Sequence, residues 1–346
     1  MTGVLVARLD SDGDVLLAGP AIRAAAASGR GVTLLCGPRG EAAARLLPGV
    51  DDVIVFEAPW IVHDPPPVTA MALQDVVDAV RRRRCSEAAI LTSFHQSALP
   101  TAMLLRLAGV RRIAAISEDY PGSLLDVRLP PPPLVHEVIR ALGVVQALGH
   151  ELPASDDCGL RVELGGEPHP DVEPPYVVLH PGAAVAARAW PAARHREVAA
   201  ELTAAGHRVV VTGSDRERPL TAAVAAGLPE VVDLGGRTTF AGLARVLEAA
   251  SVVVVGNTGP AHLAAAVGAP IVSIFAATVE PERWRPWGVP HELLYAPPPC
   301  AGCRARACPL AEQICLDRIG VGEVTAAALR LAASPSTPVS ALGGLA

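Results

Sequence analysis

Short runs of apolar residues, separated by Ala- and Leu-rich segments, form the main pattern in the first half of the chain. Uninterrupted runs of this kind indicate strands buried on both faces, and the helical segments between them indicate βαβ crossovers in a parallel sheet. The segment from Leu125 to Pro133 ends in four prolines, so it is neither a helix nor an inner strand, and a helix is expected over 136–149. The predicted strands cover residues 4–6, 32–35, 53–56, 88–91 and 113–116.

The second half of the chain repeats this rhythm after a polar stretch rich in Pro and Gly, residues 152–175, which is the predicted linker. A length of 346 residues suits two domains. We therefore expect two doubly wound, Rossmann-like α/β lobes over residues 1–160 and 175–333, and a disordered tail over 334–346. The predicted strands of the second lobe cover residues 176–179, 209–212, 231–233, 252–255 and 271–275.

Composition narrows the class of protein. Apolar residues make up 51% of the chain and charged residues 18%, which suits a soluble globular protein. The net charge is −6 and neither half is basic, so nothing indicates binding of nucleic acid. Every one of the 29 basic residues is arginine, and the lack of lysine excludes Schiff-base catalysis.

Two segments bear on the compartment. The amino terminus carries Arg8, Asp10, Asp12 and Asp14 where a signal peptide needs an apolar core, so we expect a cytoplasmic protein. The longest nearly apolar segment, residues 260–279, is interrupted by polar residues, Gly and Pro, and it predicts helix, turn and strand rather than a membrane span. Peripheral contact with a membrane stays open.

A small polar turn formed by Asn257, Thr258 and Gly259 follows the most apolar of the predicted strands. Pro260 suits the first turn of the Ala-rich helix that comes next and that carries His262. At the carboxyl end of a parallel strand, such a turn directs unpaired N–H groups and the positive end of the helix dipole outward. The segment predicts a site for an anion such as a diphosphate, although an ordinary strand–turn–helix connection has the same pattern.

Three carboxylates, Asp10, Asp12 and Asp14, follow the first predicted strand. Their spacing is that of an EF-hand loop, but Val15 stands where glycine is needed and Ala21 where the bidentate Glu is needed, so calcium is not indicated. Asp14 also suits the first turn of a helix as a capping residue. The chain has neither the G-x-G-x-x-G nor the G-x-x-x-x-G-K motif in this setting, so dinucleotide redox chemistry and P-loop hydrolysis are not predicted.

Two further loops follow predicted strands of the second lobe. Residues 180–191 include Arg188, whose guanidinium suits a phosphate, and Trp190, which is typical of a packing corner. Residues 211–218 combine a strand end with an acidic helix start. Glu217 in that segment could accept hydrogen bonds from ribose hydroxyls or simply face solvent.

Four of the seven cysteines, Cys300, Cys303, Cys308 and Cys315, lie in one short segment. Four thiols at this density could hold tetrahedral zinc, although the second pair is spaced more widely than in a regular zinc ribbon. Free thiols are the equal alternative, since a reducing compartment disfavours disulfides. A structural zinc ion therefore stays open, and no catalytic metal is indicated.

Four motifs in this order closely resemble those of the family 9 glycosyltransferases, the lipopolysaccharide heptosyltransferase family. They are Gly-Asp at 13–14, the loop at 180–191, the element at 213–217 and the turn at 256–264. The chain departs from the family pattern in the second motif, where arginine replaces lysine at position 188 and alanine replaces arginine at the next position. Arginine keeps the positive charge.

The resemblance implies a GT-B architecture, with two facing lobes and a central cleft, and a glycosyltransferase that works with inversion. The donor would be a nucleotide sugar, most simply ADP-heptose, and the acceptor a hydroxyl of a glycan or glycolipid. Asp14 would be the general base, with Asp10 and Asp12 as alternatives. The donor would be bound by Arg188, Glu217 and the turn that carries Asn257, Thr258, Gly259, Pro260 and His262.

The resemblance implies that no cofactor is required. The resemblance adds that family members commonly carry a similar Cys-rich loop without being treated as metalloenzymes. Three other functions stay open: a GT-B sugar-nucleotide epimerase or hydrolase, a nucleotide-sugar-binding protein without catalysis, and a zinc-dependent interaction module built on the cysteine segment.

Overall fold

The computed structural model describes residues 3–169, 171–310 and 312–334. The chain forms two compact units, Met1–Glu163 and Leu164–Ala346. The boundary between them falls inside the Pro- and Gly-rich stretch 152–175. Apart from Ser334, the tail expected over 334–346 lies outside the described residues.

A six-stranded parallel sheet forms the centre of the first unit, in the order β3-β2-β1-β4-β5-β6. The strands are β1 (Val4–Arg8), β2 (Val32–Cys36), β3 (Asp52–Val55), β4 (Glu87–Ile90), β5 (Arg112–Ile116) and β6 (Val127–Leu129). The helices are α1 (Asp12–Leu17), α2 (Gly19–Ala26), α3 (Glu41–Ala44), α4 (Ala70–Arg83), α5 (Leu99–Leu107) and α6 (Glu137–Gln146).

Strand β1 shows why the first sheet is covered on both faces. Leu5 packs in a cluster with Val77 of α4 and Leu105 of α5. Val4 and Val6 point to the opposite face and are also fully buried. Each such side chain stabilises the fold by roughly 1.5–3 kcal/mol through its removal from water.

The second unit contains another six-stranded parallel sheet, in the order β12-β11-β10-β7-β8-β9. Its strands are β7 (Tyr176–His180), β8 (Val209–Val211), β9 (Val232–Asp233), β10 (Ala250–Gly256), β11 (Ile271–Ile274) and β12 (His291–Leu294). Its helices are α7 (Ala192–Ala204), α8 (Arg218–Ala225), α9 (Phe240–Glu248), α10 (Gly259–Ala266), α11 (Pro281–Trp284), α12 (Ile314–Asp317) and α13 (Val321–Ala333).

The two sheets have the same winding. In each unit the first strand lies between the second and the fourth, so the direction of winding reverses between β1 and β4 and again between β7 and β10. Loops that leave the carboxyl ends of strands at such reversals form the crevices in which open α/β sheets bind ligands. The topology therefore selects four loops as the places to look for chemistry.

The expected pair of doubly wound α/β lobes is confirmed by these sheets. Each predicted apolar run lies on a strand, with boundaries that differ by a few residues. Two strands were not predicted, β6 and β12, and both are at sheet edges. Across the described ranges, no helix combines the length and the apolar character that a membrane crossing demands.

Candidate functional site

A buried arginine organises the loop that follows β1. Arg8 is the last residue of that strand and is only 2% exposed. Its Nη2 donates to Oδ1 of Asp14 over 2.9 Å and to Oγ of Ser93 over 3.0 Å. Its Nε lies 3.0 Å from Oδ2 of Asp10. One guanidinium thus joins the loop after β1 to the loop after β4, which are the two sides of the first reversal.

The carboxylate of Asp14 is hydrogen-bonded at the start of α1 and is also partly exposed to solvent. It is the third residue of α1, and its Oδ2 accepts hydrogen bonds from the backbone N of Ser11 at 3.3 Å and from the Ser11 hydroxyl at 2.8 Å. Burial disfavours ionisation, but the Arg8 charge and the Ser11 hydrogen bonds outweigh it and lower the pKa of Asp14. The side chain keeps 18% exposure, so the carboxylate can be reached from solvent.

The other two carboxylates differ in what they contact. Asp10 accepts a hydrogen bond from Nε2 of Gln96, and burial raises its pKa to about 6 despite the charge of Arg8. Burial also raises the pKa of Asp12 to about 6. Asp12 however accepts from the backbone N of Ala43 at 3.1 Å, in α3, rather than contacting the arginine. The structure therefore places Asp10 and Asp14 on one cation and Asp12 apart from them.

A fourth carboxylate below this cluster was not singled out by the sequence pattern. Glu137, the first residue of α6, is 1% exposed and approaches Nη1 of Arg8 at 3.6 Å. Arg140, one turn along the same helix, lies 3.9 Å from it. The signal in the sequence was a Glu four residues after the last proline of the Pro-rich segment, where a helix start predicts solvent exposure. The three nearby carboxylates, Asp10, Asp14 and Glu137, raise the pKa of Arg8, although burial opposes this.

The turn after β10 takes the form that the sequence predicted. Thr258 is the N-cap of α10, in extended conformation, and Pro260 lies in the first turn. Oδ1 of Asn257 accepts a hydrogen bond from the backbone N of Ala276 at 3.2 Å, which ties this turn to the segment after β11. Nδ2 of Asn257 and Oγ1 of Thr258 are buried and have no hydrogen-bond partner among the described residues. Buried polar atoms in this state are the ones that a bound ligand can satisfy.

Arg188 lies beside that turn. It ends the short 3-10 turn Ala186–Arg188, and its carbonyl oxygen would lie 3.3 Å from a Cβ built on Gly256. The loops after β7 and β10, the two sides of the second reversal, are therefore in contact at these residues. His262 of α10 was also predicted to bind the donor. It is 6% exposed, so its side chain lies within the packing around the helix.

Glu217 follows β8 and packs against the loop after β7. It closes the 3-10 turn Asp215–Glu217 that follows β8, and its Oε2 accepts from the backbone N and the hydroxyl of Ser214, both at 2.7 Å. Its carboxylate occupies the space where a Cβ on Gly182 would stand, so Gly182 permits this close approach. His180 is hydrogen-bonded to Thr212 at 2.9 Å, and burial lowers its pKa. Residues that follow β7, β8 and β10 thus lie together at the carboxyl ends of the strands.

For two motifs, Trp190 and the clustered cysteines, the sequence left a structural role open. Trp190 is 3% exposed and its ring packs edge-on against His195, with 5.0 Å between centroids, so it is a packing corner. The four clustered cysteines line a cavity of about 20 Å³. Within the described part of the chain, however, no three His, Cys, Asp or Glu side chains form a group that could hold a metal ion. The zinc alternative gains no support from this arrangement.

Comparison with known proteins gives a family match and curated relatives. Residues 95–314 match the family model described as glycosyltransferase family 9 (heptosyltransferase). Lipopolysaccharide heptosyltransferase 1 of Pseudomonas aeruginosa is 33% identical over 221 residues, which are 62% of this chain and 61% of that protein. The chain thus matches less than two thirds of this curated relative's length.

Solved structures match almost the whole length of the chain, although their sequences are less similar to it than that of the curated relative. E. coli ADP-heptose lps heptosyltransferase II superposes with a TM-score of 0.73 at 18% identity, covering 96% of this chain and 98% of that one. E. coli heptosyltransferase WaaC with ADP-2-deoxy-2-fluoro heptose gives a TM-score of 0.69 at 19% identity, covering 94% and 98%. At these identities the likeness shows the fold, and it confirms the two-lobe α/β fold of the GT-B type.

Proposed function

The chain belongs to glycosyltransferase family 9, the heptosyltransferase family, and on that premise we propose that it transfers heptose from ADP-heptose to a hydroxyl group of a glycan or glycolipid. The second unit would bind the donor and the first unit the acceptor. The donor choice is supported by the relative whose structure holds an ADP-heptose analogue. The acceptor class is supported by the relatives named for lipopolysaccharide.

The observation that carries this proposal is the contact between Arg188 and the turn that begins α10. The Arg188 backbone lies against Gly256, and the unpartnered polar atoms of Asn257 and Thr258 lie at the start of the helix. A helix N-terminus, a guanidinium and two buried polar groups without partners make a suitable receptor for a diphosphate. Glu217, at the same end of the strands, would accept hydrogen bonds from the ribose of the donor.

The proposed reaction is a single displacement. The acceptor oxygen forms a bond to the anomeric carbon of heptose while the bond from that carbon to the diphosphate oxygen breaks, so the configuration inverts and ADP leaves. Asp14 takes the proton of the acceptor hydroxyl. Its lowered pKa means that it is ionised at neutral pH, and the hydroxyl becomes more acidic as the new bond forms.

The charges that develop on the departing diphosphate would be stabilised by Arg188 and the start of α10. These are fixed dipoles and charges, which need no reorganisation during the reaction. Arg8 would hold the ionised Asp14 in place, because it donates to the oxygen of Asp14 that does not contact Ser11.

The purified chain should release ADP from ADP-heptose only when a lipopolysaccharide-core acceptor is present. Mass spectrometry of the product should show the addition of one heptose, and its NMR spectrum the anomeric configuration opposite to that of the donor. Release of ADP without acceptor would indicate a hydrolase, and a donor with altered sugar stereochemistry an epimerase. Donor binding without any turnover would indicate a binding protein.

A further inference from the structure

The backbone of the residue before Arg188 is held from outside its own turn. The N–H of Ala187 donates to the carbonyl of Arg306 over 2.9 Å. The carbonyl of Ala187 accepts from Nε2 of Gln313 over 2.6 Å. Both partners of Ala187, the Arg306 carbonyl and the Gln313 amide, come from the segment between β12 and α12. We call this segment the cysteine loop (residues 295–313, described except for position 311). Ala187 itself is 2% exposed.

The cysteine loop is fixed at a second place in the same unit. The N–H of Gly302 donates to the carbonyl of Ala277 over 2.8 Å, and that of Arg304 to the carbonyl of Thr278 over 2.9 Å. Ala277 and Thr278 follow β11 in the same segment as Ala276, whose N–H donates to Asn257. The cysteine loop therefore contacts two parts of the candidate site. One is the segment after β11, which is bonded to Asn257, and the other is the turn Ala186–Arg188.

Gln313 lies beside a short helix that is packed and hydrogen-bonded within the second unit. It immediately precedes α12, whose Leu316 is fully buried. The guanidinium of Arg194, from α7, donates to the carbonyls of Asp317 and Ile319 at 2.9 and 3.1 Å, which fixes the end of that helix. A side-chain donor anchored in this way can orient the peptide that it contacts.

We propose that Gln313 is a positioning residue for donor binding: by holding the Ala187 peptide it aims the Arg188 guanidinium at the donor phosphates. This inference rests on the proposed function, because it assigns the phosphates to Arg188. Gln313 does not touch the donor and acts through the Ala186–Arg188 turn. Loss of one neutral hydrogen bond of this kind changes an equilibrium by about 2- to 12-fold.

The first experiment needs no ligand. Hydrogen exchange measured by mass spectrometry on peptides covering residues 183–190 should be faster in Gln313→Ala than in the wild type. Gln313→Glu, which keeps the size but loses the N–H donor, should behave like Gln313→Ala. The control is Gln146→Ala, because Gln146 belongs to the first unit and its exposed side chain donates to Glu151 there. Unchanged exchange in both Gln313 variants would overturn the proposal.

The second experiment asks whether the effect reaches the donor through Arg188. Calorimetric titration of Gln313→Ala should give ADP affinity lowered about 2- to 12-fold and adenosine affinity unchanged. In an Arg188→Ala background the same change should add nothing, since coupled residues are not additive. An equal loss in both backgrounds, or for both ligands, would overturn the proposal. If the wild type does not bind ADP, the proposed donor is wrong, while the exchange result still decides whether Gln313 holds the turn.

Discussion

The Nη2 atom of Arg8 donates to Asp14 over 2.9 Å while the Nε atom of the same guanidinium lies 3.0 Å from Asp10. One buried cation is thus shared by two carboxylates with opposite pKa shifts, lowered for Asp14 and raised to about 6 for Asp10. When two acidic groups share a counterion, protonation of one strengthens the hold of the cation on the other. The first two predictions follow from this arrangement.

Asp14→Asn should lower turnover by roughly 10²–10⁴, the usual contribution of a positioned general base, and leave donor affinity unchanged. Asparagine retains an oxygen that can accept from Ser11, so the cap of α1 survives and the variant should still melt cooperatively. Initial rates with saturating donor and acceptor measure the effect. Asp12→Asn is the matched control because Asp12 contacts Ala43 and not Arg8. Turnover close to the wild-type rate in Asp14→Asn would remove Asp14 from the role of base and leave Asp10 or Asp12.

Activity should fall as the pH drops through about 6. Above that pH Asp10 is ionised, and the charge of Arg8 is shared between Asp10 and Asp14. Below that pH Asp10 is neutral and the charge of Arg8 stabilises the Asp14 carboxylate alone. Asp14 then becomes a weaker base. Asp10→Asn reproduces the state below that pH, because asparagine is neutral at every pH. We expect its profile of kcat against pH to lose the limb near 6 and its rate at pH 8 to match the wild-type rate below that limb. A limb that persists unchanged in Asp10→Asn would contradict this assignment.

Arg188→Ala should weaken ADP binding by on the order of tenfold to a hundredfold, as expected for the loss of one charged hydrogen-bond partner. Adenosine binding should change little, because the guanidinium is assigned to phosphate. Calorimetric titration with both ligands measures the difference. Arg318→Ala, which removes an exposed arginine elsewhere in the second unit, should affect neither ligand. Equal losses for ADP and adenosine in Arg188→Ala would speak against a phosphate contact.

Glu217→Gln should weaken ADP and adenosine by the same factor, about tenfold, because a carboxylate that accepts from ribose hydroxyls makes charge-assisted hydrogen bonds. Glutamine keeps an oxygen that can accept from Ser214, so the 3-10 turn should be retained. Inorganic diphosphate should bind wild type and variant alike. If diphosphate affinity also changes, Glu217 acts through the shape of the loop rather than through the nucleoside.

Gly259→Val should abolish donor binding while the protein still melts cooperatively. Gly259 is the first residue of α10, and the backbone must come close to a diphosphate there, so a branched side chain would occupy the ligand's place. Val267→Ala, at the other end of the same helix, is the control and should leave ADP affinity unchanged. Normal ADP affinity in Gly259→Val would place the donor elsewhere.

Central strands could be predicted from the sequence because burial on both faces leaves an uninterrupted apolar run, as in Val252 to Val255. The edge strands could not. β12 begins with His291 and Glu292, and β6 has the exposed Arg128 at its centre, so neither carries the pattern that identified the others. A strand at an edge is defined by the neighbour with which it pairs, which is a property of the tertiary fold.

Motif positions in the candidate site were predictable where a local rule governs them. A polar turn with proline in the following helix specifies its own geometry, and the turn at Thr258 and Pro260 has that geometry. The contacts of Arg8 and of Ala187, the residue before Arg188, were not predictable in this way. Glu137 reaches Arg8 from a helix far along the chain, and Gln313 reaches Ala187 across 126 residues. Contacts of that range depend on how loops pack.

The common winding of the two sheets makes the chain modular. Every strand pairing described above joins strands of one unit, so a junction near residue 163 cuts no hydrogen-bonded ladder. Recombination at that point would leave both sheets whole. On the proposal that the second unit binds the donor, a chimaera that joins residues 1–163 to the second unit of a relative should take the nucleotide-sugar specificity of that relative without redesign of either core.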